Sequence, residues 1–355
     1  MLREDCIVLD DTHHLADIAS IASGCLFACD LICGGFPCQP FSNARTNGAH
    51  YSANDWKSWD QLMDALQARV RQGVQDRALL LENVLGLLEK LTAQKLQMLT
   101  DAGFHYKIFR IDSAAAFGCA TTRPRIAIVA FRDAQHLTKF GRGPRPTGTA
   151  AGTPLSQIIN QRNNSPAIMP PKLWLRGDSD MYKLWNKNNG VQVVSPATDA
   201  LMNVRTKANS SFVPDGNGGT FICVHPSVAQ QTTPLTDQQL AAFATYFVHQ
   251  PDAAPIVRRL MPDEELRAMG WDEKEIPAAF RSAYVNGSPH KIYEYVSESI
   301  CPPVWTAVAA RMLWAMGKEL PQGVSTAEAD PSHVQLRQTC SAGIEYWKVL
   351  PLLPD

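Results

Sequence analysis

The segment Asp30-Leu-Ile-Cys-Gly-Gly-Phe-Pro-Cys38-Gln-Pro-Phe-Ser42 decides how the chain is expected to fold. Its first half is an apolar run typical of a buried strand, and Gly34, Gly35 and Pro37 then form a tight turn that presents Cys38. In open α/β sheets, ligand crevices lie beyond the carboxyl ends of the strands. The segment therefore predicts a cysteine thiol at the edge of a sheet, placed to act as a nucleophile.

Strand-like runs alternate with helical patterns around this segment, as far as about residue 135. This alternation predicts an α/β domain with a largely parallel sheet. The predicted strands are residues 27–33, 78–84, 104–112 and 125–131, and the predicted helices are residues 59–72 and 87–102, the second ended by Gly103.

Composition changes sharply between residues 133 and 255, where Gly, Pro, Asn, Thr and Ser dominate and no Glu occurs. Residues 139–220 hold ten basic and four acidic residues, a local charge of +6 in a chain whose net charge is −1. A basic, loop-rich lobe of this kind suits contacts with phosphates. Helical periodicity returns at residues 261–269 and 302–318. We predict a catalytic domain at 1–132, a separate lobe at 133–255, a return to the catalytic domain with a C-terminal helix at 256–320, and a tail of unassigned role at 321–355.

Composition also excludes several classes of protein. The chain has 355 residues, 45% of them hydrophobic and 19% charged, which is enough for a full core and excludes disorder as a whole. No apolar run approaches the ~18 to 20 residues that a membrane span needs, and the acidic N-terminus has no apolar stretch after it, so we expect a cytoplasmic protein without a secretory signal. The nine cysteines show no paired zinc-type spacing, so neither a metal nor a disulfide framework is expected.

Four further motifs follow the Cys38 segment in a fixed order. They are Leu81-Glu82-Asn83-Val84, the run from Phe117 to Arg125, the run from Arg259 to Glu264 with Gly270-Trp271, and Ser299-Ile300-Cys301-Pro302-Pro303-Val304. Together with the Cys38 segment, they resemble the ordered motifs of DNA (cytosine-5)-methyltransferases, and the resemblance spans residues 30–314.

The resemblance implies a fold, a cofactor and a reaction. The fold is a Rossmann-like domain that uses S-adenosyl-L-methionine, joined to a smaller target-recognition domain. Cys38 is the nucleophile that adds to cytosine C6, which makes C5 reactive toward the methyl group. Glu82 is the acid that hydrogen-bonds N3, Arg125 holds O2, and Arg123 orders the pocket.

Other roles also follow from the resemblance. Because C5 and C6 are stacked within a duplex, the substrate is double-stranded DNA whose target base is flipped out. The loop at residues 42–56 is the expected lid. A restriction-modification or phage/host DNA-protection role in the cytoplasm, close to the nucleoid, is implied. The cofactor-binding residues are Asp17, Pro37 and Ser299, and the substrate-binding residues are Gln39, Ser42 and Thr121.

The chain departs from the family pattern before Cys38. No Phe-x-Gly-x-Gly turn and no following acidic residue precede it, although Ala16-Asp17-Ile18 resembles the adenine-binding motif. The N-terminal strand and helix units are therefore predicted to be missing. Three explanations stay open: a truncated start, a split enzyme whose second polypeptide brings the segment, or a degenerate homologue. Thr121, Met261 and Ser297-Glu298 also replace the usual residues.

Two competing functions remain. An RNA methyltransferase of the same chemistry is disfavoured by the long interval between Arg132 and Arg258, which is expected of a DNA target-recognition domain. A DNA-binding accessory protein without activity is disfavoured because a pure binder needs none of Cys38, Glu82 and Arg125.

Overall fold

The structure is a computed structural model, and the part of it described here is not continuous. It comprises residues 28–36, 38, 41, 56–74, 76–148, 153, 157–159, 193–194, 221–223, 257–274, 276, 296, 299–341 and 343–350. Residues 1–27, on which the prediction of missing N-terminal strand and helix units depends, lie outside this part. Within it, no helix is both long and apolar enough to cross a membrane.

A six-stranded mixed sheet forms the centre of the molecule. Its strands stand in the order β1-β2-β4-β3-β9-β8, and β5, β6 and β7 form a separate small sheet. The strands of the main sheet are β1 (Leu31–Gly35), β2 (Ala78–Val84), β3 (His105–Ile111), β4 (Arg125–Phe131), β8 (Val334–Thr339) and β9 (Glu345–Val349). Those of the small sheet are β5 (Val193–Val194), β6 (Phe221–Cys223) and β7 (Val257–Arg259).

Helices cover both faces of the main sheet. They are α1 (Lys57–Arg71), α2 (Gly86–Lys90), α3 (Ala93–Asp101), α4 (Ala134–Phe140), α5 (Pro262–Ala268) and α6 (Pro302–Ala315). Pro302 and Pro303 open α6, where a missing backbone N–H has no helical partner to lose. α5 begins in a similar way at Pro262, and the Glu264 carboxylate accepts a hydrogen bond from the Met261 N–H at 2.8 Å.

Alternation along β2 divides the core into two clusters. Ala78 and Leu80 face α4 and α6, whereas Leu79 and Leu81 face α1, α2 and α3. Each cluster holds large buried side chains, such as Phe140 in the first and Trp59 in the second. Both faces of β2 are therefore buried, which explains its uninterrupted apolar run.

Two predictions about these elements are wrong. The sheet is not largely parallel: β1 pairs parallel with β2, but β4 runs antiparallel to both β2 and β3. The reason is that β3 and β4 have no crossover helix of the length that a parallel return needs between them. The single helix predicted at 87–102 is two helices, because Leu91 is extended and the Thr92 hydroxyl caps a new helix at the Lys95 N–H.

Several elements lie close to the predicted domain limits. Phe140 of α4, which follows the predicted limit at residue 132, is fully buried against β3 and β4. β7 pairs with β6 of the small sheet, so the predicted return at residue 256 begins with that sheet. The tail at 321–355 receives a structure, since β8 and β9 form a hairpin that extends the main sheet beside β3.

Candidate active site

Three strand ends bring the predicted catalytic side chains to one edge of the sheet. β1 and β2 are parallel, with Gly35 opposite Glu82, so the turn to Cys38 begins beside that carboxylate. β4 is antiparallel to β2 and starts at this same edge, with Arg125 opposite Val84. The sequence positions of Cys38, Glu82 and Arg125 thus converge because of strand direction and register.

A cleft of about 690 Å³ opens at this edge. Cys38, Glu82, Arg123 and Arg125 all line it, and Trp305 of α6 contributes to its wall. The volume lies within the roughly 300 to 1,000 Å³ of small-molecule sites. The structure therefore brings all four predicted catalytic residues into one cavity.

Glu82 and Arg125 form an ion pair inside the cleft. The Arg125 Nε lies 2.6 Å from Glu82 Oε1, and both side chains are only slightly exposed. Arg125 Nη1 also donates to the Pro124 carbonyl at 2.9 Å. The two groups that are predicted to contact N3 and O2 of a cytosine are thus held as neighbours.

Arg123 is placed differently from Arg125. Its side chain is 3% exposed, and its Nη2 donates to the Ser299 carbonyl at 2.5 Å. Burial, and to a smaller extent repulsion from Arg125, lowers the pKa of Arg123 to about 10. Its backbone φ of 21° lies in the left-handed region that side chains rarely adopt. Arg123 therefore connects residues 112–125, the arginine loop, to the segment that precedes α6.

Burial and the neighbouring charged groups shift the pKa of the Cys38 thiol in opposite directions. Burial is the main influence on the pKa of Cys38 and raises it above its ordinary value, and Glu82 also raises it. Arg125 and Arg123 act in the opposite direction and lower this pKa. Activation of the thiol therefore depends on where the two guanidinium groups lie.

Asn83 and Phe41 hold the Cys38 turn in place. The Asn83 side chain is buried; its Nδ2 donates to the Phe36 carbonyl at 3.0 Å, and its Oδ1 accepts from the Val84 N–H at 2.9 Å. The Phe41 N–H donates to the Cys38 carbonyl at 2.9 Å. Both roles were missed in the sequence, where only the position of Asn83 beside Glu82 signals the first of them.

Gly35 packs directly against Glu82. A Cβ at Gly35 would lie 3.0 Å from Glu82 Oε2, whereas a Cβ at Gly34 would meet nothing within 4 Å. Gly35→Ala is therefore expected to displace the carboxylate.

We predict that Gly35→Ala lowers the single-turnover rate of methylation by about 10- to 100-fold, the scale expected when a reacting group is misplaced. Gly34→Ala, its matched control on the same strand, should remain within about twofold of the parent chain. Both rates are measured at saturating cofactor, together with thermal melting. Equal rates for the two variants would show that crowding of Glu82 has no effect on the reaction.

The later sequence motifs meet behind the arginine loop. The Ala120 N–H donates to the Ala268 carbonyl at 2.8 Å, and the Trp271 indole donates to the Ile300 carbonyl at 3.1 Å. A Cβ at Gly270, whose φ is +87°, would clash with Pro303 at 2.5 Å. These contacts bind α5, α6 and the arginine loop into one support for the cleft.

The remaining predicted site residues are less well supported. Thr121 is fully buried, does not line the cleft, and its hydroxyl has no hydrogen-bond partner among the described residues, so the structure does not bring it to a substrate. Ser299 supplies its carbonyl to Arg123. Four others, and the predicted lid at 42–56 except for Trp56, lie outside the described residues: Asp17, Pro37, Gln39 and Ser42.

At one edge of the sheet, the structure thus places Cys38 in the same cleft as a carboxylate and two arginines. The family model for C-5 cytosine-specific DNA methylase matches residues 8–314. The chain belongs to this family of S-adenosyl-L-methionine-dependent enzymes, and the predicted family, enzyme class and cofactor are confirmed.

Two bacterial type II methyltransferases are among the proteins that this chain resembles in sequence. The chain is 26% identical to the type II methyltransferase M.NlaX of Neisseria lactamica over 294 residues, 81% of this chain and 77% of that protein. It is 34% identical to the type II methyltransferase M.BsuFI of Bacillus subtilis over 116 residues, 31% of this chain and 26% of that protein.

Solved structures confirm the predicted Rossmann-like methyltransferase fold. The S. pombe Dnmt2 methyltransferase superposes with a TM-score of 0.57 at 14% identity, over 85% of this chain and 83% of that one. A Spodoptera frugiperda DNMT2 mutant superposes with a TM-score of 0.51 at 19% identity, over 80% of this chain and 79% of that one.

Proposed function

We propose that the chain methylates C5 of cytosine within a specific sequence of double-stranded DNA, through a covalent bond between Cys38 and C6 of a flipped base. The observation that carries this proposal is the convergence of Cys38, Glu82, Arg123 and Arg125 in one cleft. Similarity to type II methyltransferases supports a role in restriction-modification or in protection of phage or host DNA, exercised in the cytoplasm. Covalent trapping on DNA that contains 5-fluorocytosine tests it.

The chain's own residues account for activation of the base. The Cys38 thiolate adds to C6, and the electrons of the C5–C6 double bond move toward the ring carbonyl and N3. Glu82 takes up a proton from solvent when the base replaces Arg125 as its partner, and this proton, hydrogen-bonded to N3, stabilises the charge that develops there. Arg125 donates to O2, and Arg123 maintains the loop that presents it. C5 becomes nucleophilic as a result.

The Glu82–Arg125 ion pair orders both side chains before a base binds. Without a base in the cleft, the two side chains satisfy each other at 2.6 Å. A flipped cytosine offers N3 to Glu82 and O2 to Arg125, and so replaces one contact by two. The pair thus keeps both groups ordered before the substrate arrives.

The cleft also fits the cofactor. It extends from Cys38 to α6, and Phe36 and Trp305 provide aromatic surface along it. These residues would hold S-adenosyl-L-methionine, which supplies the methyl group for C5 when bound. The apolar wall would exclude water from the reacting atoms.

The lobe that follows the catalytic domain is proposed to select the DNA sequence. Its support is the charge of +6 over residues 139–220 and the abundance of Asn, Thr, Ser and Gly, whose side chains suit contacts with phosphates and base edges. Since α4 packs on the sheet, we place the start of this lobe after Gly148 instead of at residue 133.

A second candidate function is that of a DNA-binding component, either one subunit of a split methyltransferase or an impaired homologue. One observation favours it. Among the described strands, β1 is paired on one side only, and Cys33, Gly34 and Gly35 of this strand are exposed. Cys33 was predicted within a buried strand and is exposed, whereas Gly34 and Gly35 were predicted as a turn and form the end of β1. No other described strand pairs with this edge, and an edge of this kind accepts another strand.

The second candidate function predicts that the chain binds S-adenosyl-L-methionine weakly and methylates poorly when no partner polypeptide is present. A polypeptide that carries the first strand, glycine-rich turn and acidic residue of a relative should restore both, because it would pair with β1 and supply backbone N–H groups for the cofactor carboxylate. Titration calorimetry with and without this polypeptide measures the effect. Low-micromolar binding and normal turnover by the chain alone would refute the prediction, and DNA binding that persists without restored turnover would favour the impaired homologue.

A further inference from the structure

The C-terminal hairpin, β8 and β9 with their turn, lies outside the residues that match the family yet belongs to the catalytic sheet. The family match ends at residue 314, whereas β9 pairs parallel with β3 through Phe109 to Ile111. Ile344, Tyr346 and Val349 are buried in the two core clusters. The hairpin is thus an integral outer part of the sheet.

Strand register connects the hairpin to the active site. Val349 lies opposite Ile111, Ile111 lies opposite Arg125, and Arg125 lies opposite Val84. One row of the sheet therefore runs from the last residue of β9 to the arginine that pairs with Glu82. A displacement of β9 would act along this row.

Charged side chains form a second link, at the base of the arginine loop. Asp112 is the first residue after β3; its Oδ2 lies 2.7 Å from Lys348 Nζ, and its Oδ1 accepts from Arg110 Nε at 2.5 Å. Inside the loop, the Ala114 N–H donates to the Thr122 carbonyl at 2.6 Å. The two ends of the loop are therefore tied, and a restraint on Asp112 reaches Arg123.

We propose that Lys348 is a positioning residue for the active site: through Asp112, the C-terminal hairpin fixes the arginine loop so that Arg123 and Arg125 face Cys38. The inference rests on the proposed function, because it takes the Cys38 cleft as the site that is being ordered. The partly buried Lys348–Asp112 pair lies where the loop begins, so it restrains both arginines at once.

The test uses the reactivity of Cys38 in the full chain, without DNA or cofactor. The rate at which iodoacetamide alkylates Cys38 is followed by peptide mass spectrometry between pH 6.5 and 10, since only the thiolate reacts. If the arginine loop loosens, the guanidinium groups lower the pKa of Cys38 less, and alkylation at pH 7.5 slows. We expect Lys348→Met and Asp112→Asn each to slow it by about two- to fivefold, and Lys348→Arg to retain the parent profile.

The sign for Asp112→Asn decides between positioning and a simple field effect. Removal of a negative charge acting through space would make the Cys38 thiolate easier to form and alkylation faster. Slower alkylation in this variant therefore supports positioning, and faster or unchanged alkylation overturns it. Gln338→Ala is the matched control, because Gln338 accepts from the Tyr346 hydroxyl within the hairpin at 2.8 Å. Thermal melting of all four variants reports whether each one is folded.

Failure of this inference is distinguishable from failure of the proposed function. If the parent chain forms no adduct with 5-fluorocytosine DNA but the alkylation pattern holds, the hairpin positions the loop and the proposed methylation through Cys38 is lost. If the adduct forms and both variants alkylate like the parent, the hairpin has no positioning role.

Discussion

Replacement of Cys38 by serine is expected to abolish methyl transfer and to leave DNA affinity close to that of the parent chain. The thiolate is needed for the covalent step, whereas contacts with phosphates come from basic side chains elsewhere. A serine hydroxyl has no comparable fraction of anion at neutral pH. Incorporation of labelled methyl groups into DNA, measured beside a fluorescence-anisotropy titration with the same duplex, checks both parts of the prediction.

Cys33→Ser provides the matched control for this experiment. Cys33 lines the same cleft, and burial of its thiol raises the pKa, but among the described residues no arginine shifts this pKa. It should therefore methylate at close to the parent rate. Equal losses in the two serine variants would mean that the cleft tolerates no change of cysteine, and the specific role of Cys38 would be unsupported.

Glu82→Gln is expected to slow the chemical step by a factor of roughly 10² to 10⁴, the usual contribution of positioned acid catalysis. Glutamine keeps the shape of the side chain and loses the acidic proton for N3. Base flipping should persist, because the wall of the cleft is unchanged. Single-turnover methylation under saturating DNA and cofactor measures the effect.

The same variant should change Cys38 reactivity in the opposite direction. Glu82 raises the pKa of Cys38, so Glu82→Gln should lower that pKa and accelerate alkylation at pH 7.5. Faster alkylation with slower methylation would separate a defect in acid catalysis from general damage to the site. An unchanged single-turnover rate would move the acid role to another residue.

The positions of the candidate catalytic residues could be located from sequence because they lie at the ends of strongly apolar strands. β2 and β4 begin and end at the predicted residues, and their register brings Glu82 and Arg125 to one edge of the sheet. Local pattern is sufficient for such features, since each motif adjoins the strand that positions it.

Features that depend on distant partners were not predictable. The hairpin at residues 334–349 is short and weakly patterned, and it becomes ordered only by pairing with β3, which lies far away in sequence. Asn83 acts through the Phe36 carbonyl, a contact that strand register creates. The burial of Thr121 likewise depends on how the arginine loop packs, which periodicity does not report.

Covalent trapping of DNA tests the central claim most directly. A random duplex library in which 5-fluorocytosine replaces cytosine is incubated with the chain and S-adenosyl-L-methionine, with the complementing polypeptide present in a parallel arm. Release of the enzyme requires removal of the proton at C5. Because fluorine replaces this hydrogen and cannot be removed by a base, the adduct should persist through denaturation. We predict a stable protein–DNA complex whose cross-linked peptide contains Cys38, formed equally by Cys33→Ser and absent from Cys38→Ser. A cross-link at another residue, or an adduct formed by Cys38→Ser, would contradict the account.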